Sequence, residues 1–421
     1  MREAFAFARL RGRGRCSAFA VALATVCVLA GCGGSSGGDA TASTGGGTVN
    51  VGVASTLSGT FAALGVPGLN GIKLAINQIN HSGGLLGHKL HLVTADDQID
   101  PSTGATVTRN LILNHHVQVL FGSVSSAVAL AQAQLAERYN VPLFLHMAND
   151  IGLTTTHFSK QIYEISTNTD MEPAAAALAF VKFFGKGPVR IATITPDYSF
   201  GLDTVSAFLH DLKKDGVTYT VTTQQTPQLG ATSYTSNISA VLSSNPQFVF
   251  VGEYGGDLVT LTKQGIGLGL FSKAKVGGMY GWDVVKAVGR QMPAGVMAWN
   301  RGAFWAEPST AMSAFVTAYK SAYGAYPDEW SINGYDAAEI WAEGVKKAGS
   351  FDASKIADAL GGASVPTPRG SITIRACDHQ AEVTEDTGIV ASSVNPTYGV
   401  PLWSKTYAPP VKQIIEPCSV P

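Results

Sequence analysis

Charge is scarce in this chain. Of 421 residues only 14% are Asp, Glu, Lys or Arg, against roughly 25% in an average soluble protein. The two signs nearly cancel, with 29 basic and 30 acidic residues. No basic excess is available to neutralise a phosphate backbone, so nucleic acid is a poor partner. The hydrophobic share of 45% excludes a disordered chain. Cysteine is equally sparse: there are five, none in a Cys-x-x-Cys pair. No His-Glu-x-x-His occurs either, so a zinc site has no support. No Gly-x-Ser-x-Gly elbow follows a strand candidate, which leaves a serine hydrolase of that pattern unsupported. Beyond Cys32 no apolar run reaches the ~18 residues that a membrane-spanning helix needs.

What is present begins with an address. Arg2, Arg9, Arg11, Arg13 and Arg15 precede an apolar run from Ser17 to Val28, the layout of a secretory signal. The run ends in Leu29-Ala30-Gly31-Cys32, which resembles the bacterial lipobox. That implies cleavage of residues 1–31 and a lipid on the Cys32 sulfur. Losing the leader, with its five arginines and one glutamate, takes the formal net charge from −1 to −5. Residues 32–47 are Gly-, Ser- and Thr-rich and read as a flexible tether. An acidic body is thus expected on the extracytoplasmic face of a bacterial membrane, held by lipid. Cys16 and Cys27 leave with the signal. Cys377 and Cys418 remain, and in an oxidising compartment they are most simply one disulfide. A metal there would need further ligands, of which only His379 is near in sequence; no metal and no cofactor is expected.

From Thr48 onward strand and helix patterns alternate. Val49–Ala54, Lys89–Thr94, Val117–Phe121 and Val141–Leu145 read as strands. Leu69, Ile72, Ile76 and Ile79 fall on one helix face. Asp100-Pro101 starts a helix: the carboxylate accepts from free N–H groups and proline suits the first turn. The rhythm restarts at Arg190, with strands at Arg190–Thr195, Thr218–Thr223 and Phe248–Val251. The fold class is therefore α/β, two doubly wound lobes. Gly265, Gly267 and Gly269 imitate a dinucleotide loop, but they follow a helix, whereas a phosphate cradle precedes one. They read as a turn and a helix C-cap. Asp96-Asp97 reads as a capping or hinge-side pair rather than a metal site.

In a doubly wound sheet, ligands sit beyond the carboxyl ends of the strands. The third strand leads into Gly122-Ser123-Val124-Ser125-Ser126 at a helix start, a seat for a carboxylate. The fourth leads into His146-Met147-Ala148-Asn149. In the second half the strand ends lead into Asp197-Tyr198-Ser199-Phe200-Gly201, Glu253-Tyr254-Gly255-Gly256 and Met279-Tyr280-Gly281-Trp282. One wall is polar and the other aromatic, as a small-molecule cleft requires.

Several stretches then fit one family in order and spacing. They are Leu57-Ser58-Gly59, Gly71-Ile72 to Ile79-Asn80, Gly83-Gly84, Gly87, Asp96-Asp97, Asp100-Pro101, Asp197 to Gly201, Gln264 to Leu268, Gly334-Tyr335-Asp336-Ala337 and Arg375 to Gln380. Together they resemble the substrate-binding proteins of branched-chain amino-acid type ABC importers. The resemblance implies a type I periplasmic-binding fold with three hinge crossovers and a ligand clamped between lobes. It divides the chain into residues 48–168 and 301–370 for lobe 1 and 169–300 for lobe 2. A disulfide-bearing segment, 371–421, is expected to pack toward lobe 2. It implies no enzymatic activity, a monomer, and ABC permease subunits as partners; the alternative role is an extracytoplasmic ligand sensor for a signalling receptor. The ligand-binding candidates are Ser58, Ser125, Ser126, Met147 and Asn149 on the first wall. On the second they are Tyr198, Phe200, Tyr254, Tyr280 and Trp282. Amino-acid binders of this family place a carboxylate near Tyr280 to meet the ligand ammonium, and here the residue is tyrosine. Leu64 stands where an aromatic is expected, with Phe61 close by. Either Asp283 or Glu253 substitutes for the missing acid and the ligand is an amino acid, or the ligand is a carboxylate without an amine, or an aromatic or amide compound.

Overall fold

The computed structural model describes residues 46–418 apart from residue 307. The signal, Cys32 and most of the tether lie outside the described residues. The first strand, β1 (Thr48–Ser55), buries nearly every position, as a parallel strand covered on both faces must. It is followed by α1 (Ala62–His81), β2 (Lys89–Asp96), α2 (Pro101–Leu113), β3 (Leu120–Gly122), α3 (Ser126–Tyr139), β4 (Leu143–Leu145) and β5 (Ile162–Glu164). These strands pair in the order β2-β1-β3-β4-β5, all parallel. Asp100 caps α2 by accepting from the Thr103 N–H, with Pro101 at the first helical position. The stripe Leu69, Ile72, Ile76 and Ile79 meets Val51, Val53 and Phe121 in the lobe 1 core.

Lobe 2 follows as α4 (Met171–Phe184), β6 (Val189–Ile194), α5 (Ser199–Lys214), β7 (Tyr219–Gln225), α6 (Thr235–Ser243), β8 (Phe248–Val251), α7 (Gly255–Leu268), α8 (Leu270–Lys273), β9 (Lys275–Gly278), α9 (Trp282–Val288) and β10 (Met297–Asn300). Gly269 closes α7 in the left-handed region, so the glycine run is a C-cap. Aromatic rings fill this core: Phe208 stacks on Phe250 at 4.4 Å and Phe250 on Trp299 at 5.4 Å. The chain then runs through α10 (Thr310–Tyr323), α11 (Glu329–Ala348), α12 (Ala353–Leu360), β11 (Ser364–Thr367), β12 (Gly370–Ile374), β13 (Ala381–Glu382), β14 (Asp386–Val394) and β15 (Pro401–Tyr407). The larger sheet has the order β15-β14-β10-β9-β8-β6-β7. Of its strands only β14 is reversed, pairing antiparallel with both β10 and β15.

The C-terminal segment divides between the lobes rather than packing on lobe 2 alone. Strands β14 and β15 extend the lobe 2 sheet. Ile372, Ile374, Ala381 and Ile414 belong to the lobe 1 core. Apolar side chains decide this: residues 372–383 bury isoleucine, alanine and valine against α11 and α12. Cys377 and Cys418 are disulfide-bonded, which ties the chain end to the lobe 1 side. His379 stacks on Tyr163 at 4.5 Å and so serves packing.

The chain passes between lobes three times: from β5 to α4, from β10 toward α11, and from β13 to β14. Buried polar groups lace these crossovers together. Asn168 Nδ2 donates to Gln380 Oε1 at 3.0 Å, and Gln380 Nε2 donates to the Ser166 carbonyl at 2.7 Å. Thr167 bonds to Glu385. Arg369 donates to the carbonyls of Arg301 and Ile165 and pairs with Asp336. The Asp96-Asp97 pair holds the loop between β1 and α1: Asp96 accepts from the Leu57 N–H at 2.9 Å and Asp97 from Thr56 Oγ1 at 2.6 Å. Among the described residues no helix is long and apolar enough to cross a membrane.

Candidate functional site

Strand ends of both sheets face one another across a small cavity lined from both lobes. Lobe 1 contributes the turn before α3, with Val124 and Ser126, and the loop after β4, with Met147 and Asn149. Ser125 caps α3 in extended conformation, and no side chain caps the first-turn N–H groups. Those N–H groups and the helix dipole make the turn favourable for negative charge. Ser126 is 2% exposed. Asn149 is held by its Nδ2, which donates to the Thr167 carbonyl at 3.1 Å.

Lobe 2 supplies rings. Tyr198 and Phe200 come from the start of α5, Tyr254 from the residue before α7, and Met279 from the end of β9. The Tyr198 and Tyr254 hydroxyls lie 2.8 Å apart. Burial raises the pKa of both phenols, so they stay neutral hydrogen-bonding groups. Phe200 meets Tyr254 edge-on at 5.4 Å. Behind this wall Glu253 is pushed up to about 8, by burial and then by the nearby Asp257.

Two further groups complete the lining. Trp330, at the start of α11, enters from lobe 1. Arg301, the first residue after β10, enters from the hinge. Arg301 is 3% exposed. Its Nη2 donates to Glu172 Oε2 at 2.6 Å, its Nε to the same oxygen at 3.1 Å, and its Nη1 to the Met147 carbonyl at 2.6 Å. Its guanidinium carbon stands 5.6 Å from the Trp330 ring centroid, within cation–π range. Burial alone would lower its pKa, but Glu172 and Glu385 raise it, so it stays charged.

The lobes are in contact around the cavity. Phe61 of lobe 1 lies 5.6 Å from the Tyr254 ring. Ser199 Oγ of lobe 2 donates to Asp150 Oδ2 of lobe 1 at 2.9 Å. Gly255 and Gly256 permit this approach. A Cβ on Gly255 would come within 2.6 Å of Leu64 Cδ1, and one on Gly256 within 2.7 Å of Thr60 Cγ2.

Of the residues expected from sequence, Ser126, Met147, Asn149, Tyr198, Phe200 and Tyr254 line this one cavity. The other four lie elsewhere. Ser58 is exposed in the loop after β1 and bonds to Asp96. Ser125 is the α3 N-cap, its carbonyl accepting from Ser123 Oγ. Tyr280 is fully buried in the lobe 2 core, its hydroxyl 3.4 Å from Thr262 Oγ1. Trp282 joins an aromatic cluster with Phe304, Tyr326 and Tyr398. Leu64, Val124, Met279, Arg301 and Trp330 also line the cavity without being among the ten candidates, although Leu64 stands where the resemblance expects an aromatic and Trp330 is one of the tryptophans that favour an aromatic ligand. Val124 and Met279 lay inside the turns already singled out. Arg301 gave no local signal beyond being an arginine after a buried strand.

A family model described as periplasmic binding protein matches residues 48–387. The chain belongs to that family. Among curated relatives it is 26% identical over 333 residues to the Leu/Ile/Val-binding protein BraC3 of Rhizobium johnstonii, covering 77% of this chain and 87% of that protein. Among solved structures it resembles the leucine-, isoleucine-, valine-, threonine- and alanine-binding protein from Brucella ovis in its closed conformation. The TM-score is 0.76 at 23% identity, over 88% of this chain and 97% of that one. It also resembles an ABC transporter solute-binding protein from Rhodopseudomonas palustris in complex with benzoate. There the TM-score is 0.75 at 23% identity, over 86% and 97% of the two chains. The two-lobed α/β architecture is thus that of the type I periplasmic binding proteins, and the relatives are solute-binding proteins of ABC transporters rather than enzymes. As a periplasmic binding protein it works outside the cytoplasm.

Proposed function

We propose that this periplasmic binding protein captures a small carboxylate that carries a ring or apolar body and no amine. It then delivers that ligand to an ABC importer while tethered to the membrane through a lipid on Cys32. One observation carries the ligand class: among the described residues, no carboxylate lines the cavity, and Arg301 is its one charged lining residue. An α-ammonium would enter without a charged partner, forgoing a bond of order 2 kcal/mol. Phe200, Tyr254 and Trp330 offer faces for a ring. Ser126 and the uncapped start of α3 offer donors for the carboxylate. Relatives of the same fold fit this reading, one of them in complex with benzoate and another with 4-hydroxybenzoate.

A thermal-shift screen of the purified protein against amino acids, aromatic carboxylates and aromatic amides tests the ligand class. A ligand that binds only the folded form must raise the melting temperature. Shifts are expected with aromatic carboxylates; shifts confined to amino acids would overturn the class. The tether is tested by Cys32→Ala, which should leave the protein unlipidated and released or unprocessed. Normal cleavage with the variant still membrane-bound would contradict it.

A further inference from the structure

The Arg301 guanidinium is placed unlike an ordinary structural arginine. It is buried, it lines the cavity, and it touches three separate parts of the molecule: the start of α4 through Glu172, the lobe 1 wall through the Met147 carbonyl, and α11 through the Trp330 ring. An arginine carries five N–H donors. Three are committed, to Glu172 twice and to Met147 once, leaving one on each terminal nitrogen. The Met147 carbonyl is a backbone acceptor beside the cavity, and the guanidinium occupies it. An amine entering the cavity would meet that cation, with one lone pair of the carbonyl already taken.

The acidic groups around Arg301 do not cancel it equally. Glu172 forms the close ion pair at 2.6 Å, while Glu385 stands 3.9 Å away. Burial raises the pKa of Glu385 and of Glu329, which favours their neutral forms. Glu172 is therefore the counter-charge that sets how much positive potential reaches the cavity.

We infer that Arg301 is the specificity-determining residue of the cleft, donating its two remaining N–H groups to an anionic ligand head and excluding amines, with Glu172 setting the strength of that preference. This deepens the proposed function and rests on its ligand reading. Charge-assisted hydrogen bonds of this kind outweigh neutral ones about twofold in strength. In a buried cavity the difference between an anionic and a neutral head is therefore read directly as a ratio of affinities.

Three probes of one shape isolate the head group: benzoate, benzamide and benzylamine, titrated calorimetrically into the wild-type protein. Benzoate should bind at least about tenfold more tightly than benzamide, and benzylamine should not bind. Removing the counter-charge by Glu172→Gln should tighten benzoate severalfold and leave benzamide unchanged. A purely structural ion pair gives the opposite sign, since breaking it can only weaken every ligand. Arg301→Gln should bring the benzoate-to-benzamide ratio close to one. If that variant does not fold, Glu172→Gln and the wild-type ratios still decide. Equal binding of benzoate and benzamide to wild type, or weakening of both probes in Glu172→Gln, overturns the inference while leaving an aromatic-ligand cleft intact. If none of the three probes binds, the ligand reading falls and the inference with it.

Discussion

Ser126 stands where three favourable effects coincide: a hydroxyl, the uncapped first-turn N–H groups of α3 and a helix dipole pointing at the cavity. A buried hydrogen bond to a charged group is worth ~1.5–3 kcal/mol. Ser126→Ala should therefore weaken carboxylate binding roughly tenfold or more, measured by titration calorimetry; an unchanged affinity would remove Ser126 from the site. Six of the ten expected side chains line the cavity, and the reason is positional. Strand ends and helix starts are recognisable from pattern, and in this topology they converge. What pattern leaves open is which residue of a turn points inward. After β9 the Tyr280 N–H bonds to the Gly278 carbonyl and the Gly281 N–H to that of Met279. This tight turn leaves Met279 lining the cavity and Tyr280 in the lobe 2 core. A one-residue choice of that kind depends on backbone torsion, which spacing does not encode. Arg301 was illegible for another reason: its partners Glu172, Met147 and Trp330 are far from it in sequence, and only the folded chain brings them together.

Among the elements, α7 shows how a helix start governs closure. Gly255 sits at φ 53° and packs against Leu64, while Gly256 packs against Thr60. Alanine at 256 suits a helix better than glycine, yet its methyl would crowd Thr60 across the cleft. Gly256→Ala should keep the unliganded melting temperature and weaken ligand binding roughly tenfold, since overpacking costs ~1–3 kcal/mol. Equal affinity in the variant would show that the closed contact does not assist binding. The sequence pattern placed seven strands, β1 to β4 and β6 to β8, within about three residues, and among the helices α1 is the instructive difference. The apolar stripe marks the helix from Leu69, whereas it begins at Ala62 and runs through Pro67. Proline and the glycines at 65, 68 and 71 argue against helix by propensity. Packing against α11 overrides them: a Cβ on Gly71 would fall 1.9 Å from the Ser331 carbonyl oxygen, so glycine is what lets the two helices meet. That contact fixes where α11 begins, and hence where Trp330 enters the cavity.

At the scale of the whole molecule, buried acids link stability to pH. Burial pushes Asp328 up to about 7 and Asp283 to about 6; Glu253 rises to about 8. Carboxylates of the unfolded chain titrate near ~4. Between those values the folded protein holds protons that the unfolded chain has released, so stability falls as pH rises through the folded pKa values. His146 acts in the other direction: burial lowers it to about 4, and its contribution is lost only below the ~6.5 of an unfolded histidine. From about pH 7.5 to 8.5 the unfolded histidines are largely neutral and the acids, Glu253 foremost, dominate. The melting temperature should fall across that window, and less steeply in Asp328→Asn, since asparagine can still accept from the Ser331 N–H that Asp328 caps at the start of α11. A melting temperature that rises with pH there would contradict the burial of these carboxylates.

The most direct test of the cleft is a calorimetric titration of the wild-type protein with benzoate and, separately, with leucine. A two-lobed clamp with Arg301 and, among the described residues, no lining carboxylate requires benzoate to bind at one site, at least about tenfold more tightly than leucine. Submicromolar leucine binding with no heat from benzoate would contradict it.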